Sequence, residues 1–240
     1  MKVSVILPAA GLGTRMVPGG GESPVGRKQF LTLHGSPILI HTIRRFDACP
    51  SVTEIVIALR PDDMAWFEAA VASERFTKRV RFAPGGDSRQ ESVGNALESL
   101  GSDVDLVAVH DAVRPFVSVE MIEAVIAKAA ATGAAILGVV PVDTVKQVHL
   151  HEIRTTIPRE RLVLAQTPQV FRVALLKGAF AKASEESFVG TDEASLVERL
   201  ETQPVSVVPG TERNIKITKA ADLELADFYL SQERKEPVGQ

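Results

Sequence analysis

The chain has 240 residues, 45% of them hydrophobic and 24% charged, with a formal net charge of −3. That balance fits a soluble globular protein with a substantial core, and it excludes the broad positive field of a nucleic-acid binder, so an anionic ligand must be met by local cations. The single cysteine, Cys49, excludes an internal disulfide framework and a cysteine-based zinc site, and none of the five histidines pairs with another at metal-ligand helical spacing.

The first apolar run, residues 3–7, is bounded by proline and glycine and reads as a buried strand. Ser36-Pro37 then supplies an N-cap and first helical position for a helix to about residue 48, with Cys49 near its end as a semi-buried structural thiol. A strand at 54–59 follows, and Pro61 opens a helix carrying Met64, Phe67 and Val71 on one face. A strand at 80–83 leads to Gly85-Gly86-Asp87, after which Ser88 and Glu91 form a capping-box pattern for a helix ending near residue 100. The strand at 105–109 is nearly all apolar, as in the middle of a parallel sheet. Ser118 caps a helix over 119–131 that Gly133 ends, and a strand at 134–140 comes next.

This alternation predicts a doubly wound α/β sandwich, whose ligands sit at the carboxyl ends of the strands. The stretch 142–160 breaks it: 145–148 and 152–156 read as two strands of a protruding arm with polar faces. A lone two-stranded ribbon is marginal in water, so the arm is expected to pack against a second copy of the chain. Residues 1–235 are expected to form one domain and 236–240 a disordered tail. Lys2 before an apolar run resembles the start of a signal peptide, but Pro8 and Arg15 interrupt it and the run is too short to span a bilayer. A reducing cytoplasm is the expected compartment.

The loop after the first strand, PAAGLGTRM over 8–16, consists of small residues and ends on a cation. Small residues let backbone N–H groups approach a polyphosphate, and arginine then pairs with it. A dinucleotide-binding fold is disfavoured, because Met16 occupies the place of the third small residue and Arg60-Pro61 follows the second strand where a ribose-binding acid would stand. A Walker loop needs a Gly-Lys-Ser/Thr triplet, and the chain has none.

Eight segments in order, PAAGLGTRM, RKQFL, GGDSRQESV, VHDAVRP, VDTVK, QTPQVF, TDEAS and NIKIT, resemble the 2-C-methyl-D-erythritol 4-phosphate cytidylyltransferase family of the non-mevalonate isoprenoid pathway. They run from Pro8 to Thr218, nearly the whole chain. The resemblance implies a Rossmann-like sheet with an extended arm, a homodimer, CTP as substrate and Mg²⁺ or another divalent cation as cofactor. It implies catalytic cations at Arg15, Lys28 and Lys216, and nucleotide contacts at Ala9, Ala10, Gly11, Gly86, Asp87, Arg89 and Ser92. Asp111 matches the metal ligand and, with Arg114, Thr167, Thr191 and Lys216, the polyol phosphate site. Thr144 and Arg159, on the arm, match residues that reach the neighbouring subunit's site.

Two departures from the family pattern stand out. The loop between Arg15 and Lys28 is several residues longer: it is either a lid over the triphosphate, or it displaces Lys28 and Arg27 shares its role. Val113 stands in HDAVRP where alanine is commoner. Three other functions compete: a ribitol 5-phosphate cytidylyltransferase, a sugar-1-phosphate nucleotidyltransferase using another base, and a catalytically silent nucleotide-binding regulator.

Overall fold

A computed structural model describes residues 1–11 and 27–233. In chain order its elements are β1 (Val3–Pro8), a 3₁₀ turn at Lys28–Phe30, β2 (Thr32–Leu33), β3 (Ser36–Pro37), α1 (Ile38–Asp47), β4 (Val52–Leu59) and α2 (Pro61–Ala72). Next come β5 (Arg79–Pro84), α3 (Arg89–Glu98), β6 (Leu106–Val109), α4 (Val119–Thr132) and β7 (Ala134–Val139). The chain continues through β8 (Val145–His149), β9 (Glu152–Ile157), β10 (Leu164–Arg172), α5 (Val173–Glu185), α6 (Glu193–Glu198), β11 (Ser206–Pro209) and α7 (Ala220–Glu233).

Among the described residues the main sheet has seven strands in the order β11-β7-β10-β6-β1-β4-β5. Every neighbouring pair is parallel except those of β10, which runs antiparallel to both β6 and β7. The β1 strand is central, and its alternation sorts the core into two layers. Val5 and Leu7 pack with Leu39, Ile43 and Phe46 of α1, Phe67 of α2 and Val125 of α4. Ile6 faces the other way, toward Val93 and Leu97 of α3 and Leu176 of α5. Helices on both faces make the sheet doubly wound, as expected.

A third apolar cluster joins Val113 and Phe116, after β6, to Ile217 and to Ala226 and Leu230 of α7. Ile217 also donates its backbone N–H to the Val113 carbonyl at 3.0 Å. The segment before α7 is thereby held against the loop that follows β6.

Three local expectations are corrected. Ser36-Pro37 is not the start of the helix: it pairs with Thr32-Leu33 in a small hairpin, and α1 begins at Ile38 with Pro37 as its N-cap. The cause is the turn between them, where His34 (φ 47°) and Gly35 (φ 83°) are both left-handed, the pair of values that closes a two-residue hairpin. The capping box of α3 is half formed. Ser88 accepts from the Glu91 N–H at 3.0 Å, but the Glu91 carboxylate reaches back to the Asp87 N–H, at 2.8 Å, rather than to Ser88. Cys49 is fully rather than partly buried.

Among the described residues β8 and β9 pair only with each other, and Val148 and Ile153 on them, with Leu150 in the turn between, are exposed. The expected tail, 236–240, lies outside the described residues. No helix among them is long and apolar enough to cross a membrane.

Cys49 Sγ donates to Glu123 Oε1 at 3.0 Å. Burial, with the Glu123 carboxylate beside it, pushes the thiol up to about 12. Only the thiolate is reactive, so a disulfide reagent at pH 8 is expected to leave the native protein unlabelled and to label one thiol per chain in denaturant. Rapid labelling of the native protein would contradict the burial.

Candidate active site

The strand order turns about β1, which lies between β4 and β6, and the cleft opens at the carboxyl ends of these three strands. One limb continues β1. The Ala9 N–H donates to the Ala58 carbonyl at 2.9 Å, and buried Gln29 donates its side-chain amide to the Ala9 carbonyl at 2.6 Å and the Gly11 carbonyl at 3.1 Å. Gln29 is 2% exposed, and its neighbour Phe30 anchors the turn edge-on against Trp66. Lys28 is thus carried on a turn tied directly to the small-residue limb.

The second limb follows β5. Gly85 N–H bonds to the Leu59 carbonyl at 2.6 Å, and a Cβ at Gly85 would lie 2.3 Å from the Ala10 Cβ, so only glycine lets the two limbs meet. Ser92, on the first turn of α3, accepts from the Gly86 N–H at 3.0 Å and donates to the Ser88 carbonyl at 2.8 Å. That hydroxyl fixes the loop ahead of the helix.

The third limb follows β6. His110 is fully buried, and burial lowers its pKa to about 4, so the ring is neutral at pH 7. Its Nε2 lies 3.0 Å from the Arg114 carbonyl and its Nδ1 3.1 Å from Thr167 Oγ1. A carbonyl can only accept, so Nε2 carries the proton and Thr167 donates to Nδ1. Thr167 Oγ1 in turn accepts the Asp111 N–H at 3.1 Å.

Asp111 is 8% exposed, at the end of this relay. Its Oδ2 lies 3.0 Å from Lys216 Nζ and 3.2 Å from Arg114 Nε, and its Oδ1 lies 3.4 Å from Arg89 Nε. Burial opposes the charge, but Lys216, Arg89 and Arg114 together hold this carboxyl well below the usual carboxylate range. Arg114 also donates to the Asn214 carbonyl at 2.7 Å, and buried Asn214 donates to the Thr167 carbonyl at 2.9 Å, which closes a polar frame beneath the site.

These limbs enclose a cleft of about 520 Å³. It gathers Ala9, Ala10, Gly11, Lys28, Gly86, Asp87, Arg89, Ser92, Asp111 and Lys216, all expected from the sequence. Thr167 and Arg114 stand behind Asp111 rather than on the wall. Thr191 lines a small separate hollow beside Arg89 and Glu193. Thr144 and Arg159 are exposed on the arm, where Arg159 donates to the Val142 carbonyl, and this chain does not bring them to its own cleft. Arg15 lies outside the described residues. Arg27 pairs with buried Asp63 and does not line the cleft, so Lys28 alone of the two presents there.

The sequence reading missed Gln29, Arg60, Glu193 and Asn214. Arg60, at the end of β4, lines the cleft, and its buried Nε has no hydrogen-bond partner among the described residues. Glu193 holds Arg89 with both oxygens, at 2.7 and 2.9 Å. Two adjacent acids in TDEAS were the available signal, since one cap needs only one of them.

A doubly wound sheet with small-residue limbs, and with cations gathered around Asp111 at its carboxyl end, is the frame of an α/β nucleotidyltransferase. The family model described as 2-C-methyl-D-erythritol 4-phosphate cytidylyltransferase matches residues 3–232. The chain belongs to this family. A relative of that name from Solibacter usitatus is 59% identical over 239 residues, covering 97% of each chain. One from Acidobacterium capsulatum is 52% identical, over 97% of this chain and 98% of its own. The crystal structure of 4-diphosphocytidyl-2C-methyl-D-erythritol synthase from Anaerococcus prevotii superposes with a TM-score of 0.84 at 28% identity, covering 95% of this chain and 96% of that one.

Because the folded-state pKa of Asp111 is depressed, its ionisation stabilises the fold above the unfolded value of about 3.9, and that contribution is lost as the pH falls toward the folded value. Asp111→Asn leaves its three cations facing a neutral amide. It is expected to lower stability at pH 7 by about 3 kcal/mol and to flatten the acid limb of the stability curve. Urea titrations at pH 7 and pH 3 measure both effects; an unchanged midpoint at pH 7 would contradict them.

Proposed function

We propose that the chain transfers the cytidylyl group of CTP to the phosphate of 2-C-methyl-D-erythritol 4-phosphate. A phosphate oxygen of the acceptor bonds to the α-phosphorus, the bond to the bridging oxygen breaks, and pyrophosphate leaves. The observation that carries this reading is Lys216 seated 3.0 Å from Asp111 in the cleft between the Ala9–Gly11 limb and Gly86. A phosphate monoester has a second pKa of about 6 and is largely a dianion at pH 7, so no strong general base is needed. The work is bringing two anions together and stabilising charge at the transferring phosphorus, which is positioning and electrostatics.

Lys28 meets the CTP phosphates from the turn beside the small-residue limb, with Arg15 as its companion. Lys216 braces the α-phosphate. Backbone atoms of Ala9, Ala10, Gly11, Gly86 and Asp87 receive the nucleotide, while Ser92 holds that loop. Arg114, Thr167 and Thr191 serve the polyol phosphate side. Among the described residues no group of three carboxylate, histidine or cysteine side chains could hold a metal. A Mg²⁺ bound mainly through substrate phosphates needs only one or two carboxylates, and Asp111 would serve through Oδ1, whose one cation contact is the longer one, to Arg89 at 3.4 Å. A metal held there would supply charge neutralisation at the phosphates.

The 1–235 segment acts as one catalytic unit, and the arm over 142–160 pairs with a second copy. The exposed Val148, Leu150 and Ile153, on a ribbon that pairs with no other strand among the described residues, support a homodimer. Thr144 and Arg159 then reach the neighbouring subunit's substrate. The single, buried cysteine is consistent with a reducing cytoplasm.

Pyrophosphate release from each nucleoside triphosphate, with methylerythritol 4-phosphate and ribitol 5-phosphate as parallel acceptors, tests the reaction. Release with ribitol phosphate alone would change the substrate, and silence with both would favour the nucleotide-binding regulator. Lys216→Ala is expected to lower kcat by at least about a hundredfold in protein that thermal melting shows to be folded at the assay temperature, and near-parental turnover would remove Lys216 from the mechanism. Mixing inactive Arg159 and inactive Lys216 variants under conditions of proven subunit exchange is expected to restore activity; no recovery would return Arg159 to its own subunit's site.

A further inference from the structure

Glu193 is the first residue of α6 and 1% exposed. Its two carboxylate oxygens accept from Arg89 Nη1 at 2.7 Å and Nη2 at 2.9 Å, a forked pair. The remaining guanidinium nitrogen, Nε, faces Asp111 Oδ1 at 3.4 Å. All three nitrogens of Arg89 are therefore directed at carboxylates. Although the residue lines the cleft, its fork is not presented to a nucleotide phosphate.

Glu193 is itself held on a fixed frame. Asp192 caps α6 by accepting the Ser195 N–H at 3.0 Å, and it also accepts from Gln169 Nε2 at 2.7 Å. Gln169 Oε1 accepts the Ala194 N–H at 2.9 Å. Gln169 lies on β10 opposite Val109 of β6, the strand that ends just before Asp111. The sheet thus fixes both ends of the chain Glu193–Arg89–Asp111. Burial pushes the Glu193 carboxyl up, whereas Arg89, which burial alone would bring down, is held above its ordinary value by the two carboxylates.

We infer, resting on the cytidylyl-transfer reading above, that Glu193 is a positioning residue for that reaction, fixing Arg89 so that it braces the Asp111 carboxylate on which Lys216 rests. Without the Glu193 charge, the Arg89 fork turns to Asp111 and competes with Lys216 for it. Lys216 then loses the seat from which it meets the α-phosphate. A buried ion pair can be replaced by well-packed apolar residues at little cost in stability, so the fold by itself does not require this one.

Two variants test the inference, Glu193→Gln and the double replacement Arg89→Met with Glu193→Leu, compared by kcat and KM for CTP in the pyrophosphate-release assay and by thermal melting. A folded variant is expected to lose at least about tenfold in kcat, with KM for CTP within about threefold of the parent. Parental kcat in either folded variant overturns the inference. A raised KM with unchanged kcat also overturns it, because Arg89 then serves the nucleotide directly. Loss of folding in both variants assigns the pair to stability and overturns it as well. An inactive parent protein would instead sink the reaction on which the inference rests.

Discussion

Asp111 carries its charge where burial opposes it, and the groups that make this tolerable come from separate parts of the chain. Arg89 belongs to α3, Arg114 to the loop after β6, and Lys216 to the segment ahead of α7. A carboxylate in low dielectric is stable only with paired and hydrogen-bonded partners. Holding this one therefore fixes the relative positions of those three segments. The relay from the Asp111 N–H through the Thr167 hydroxyl to neutral His110 sets the aspartate's own position from beneath. Charge and hydrogen bonding here specify a geometry, while the apolar layers supply the bulk of the stability.

The apolar layers place the limbs. Alternating side chains of β1 bury both faces of the sheet, which leaves the strand ends as the place where polar loops can gather. Each limb is anchored within a residue or two of its strand, by Ala9 on the Ala58 carbonyl, by Gly85 on the Leu59 carbonyl and by His110 on the Ile6 carbonyl. Short tethers of this kind leave little slack. The contact between Gly85 and Ala10 shows how closely the two limbs approach, and a side chain at residue 85 would force them apart.

Much of this arrangement was legible in the sequence, for identifiable reasons. Long apolar runs separated by caps and glycines report strands and helices directly, so the doubly wound order, the Ser118 cap and the Gly133 stop were readable. Small-residue and cation motifs reported the cleft wall, including Lys28, Asp111 and Lys216. Ser36-Pro37 misled because a left-handed pair at His34 and Gly35 depends on closing a hairpin, and local helix signals do not register that. The antiparallel β10 likewise depends on pairing between strands distant in sequence. Gln29 and Glu193 escaped because their polar groups point inward, and composition alone reads such residues as surface.

The formal charges around Asp111 also explain why the cleft suits an anion despite a net negative chain. Arg89, Arg114 and Lys216 face Asp111 and Glu193, so these side chains carry one more positive than negative charge. Glu193 takes up most of Arg89, and the Asn214 carbonyl takes part of Arg114. Lys216 is the most exposed of the three cations at the cleft, which Lys28 also lines. On the proposed reaction, an incoming phosphate would meet an ammonium already in place, with its counter-charge behind it, so little reorganisation would be needed when charge develops in the transition state. The carboxylates lower the positive potential of the site, and in exchange they make the cluster of cations tolerable. They keep like-charged side chains close together until a substrate supplies the remaining negative charge.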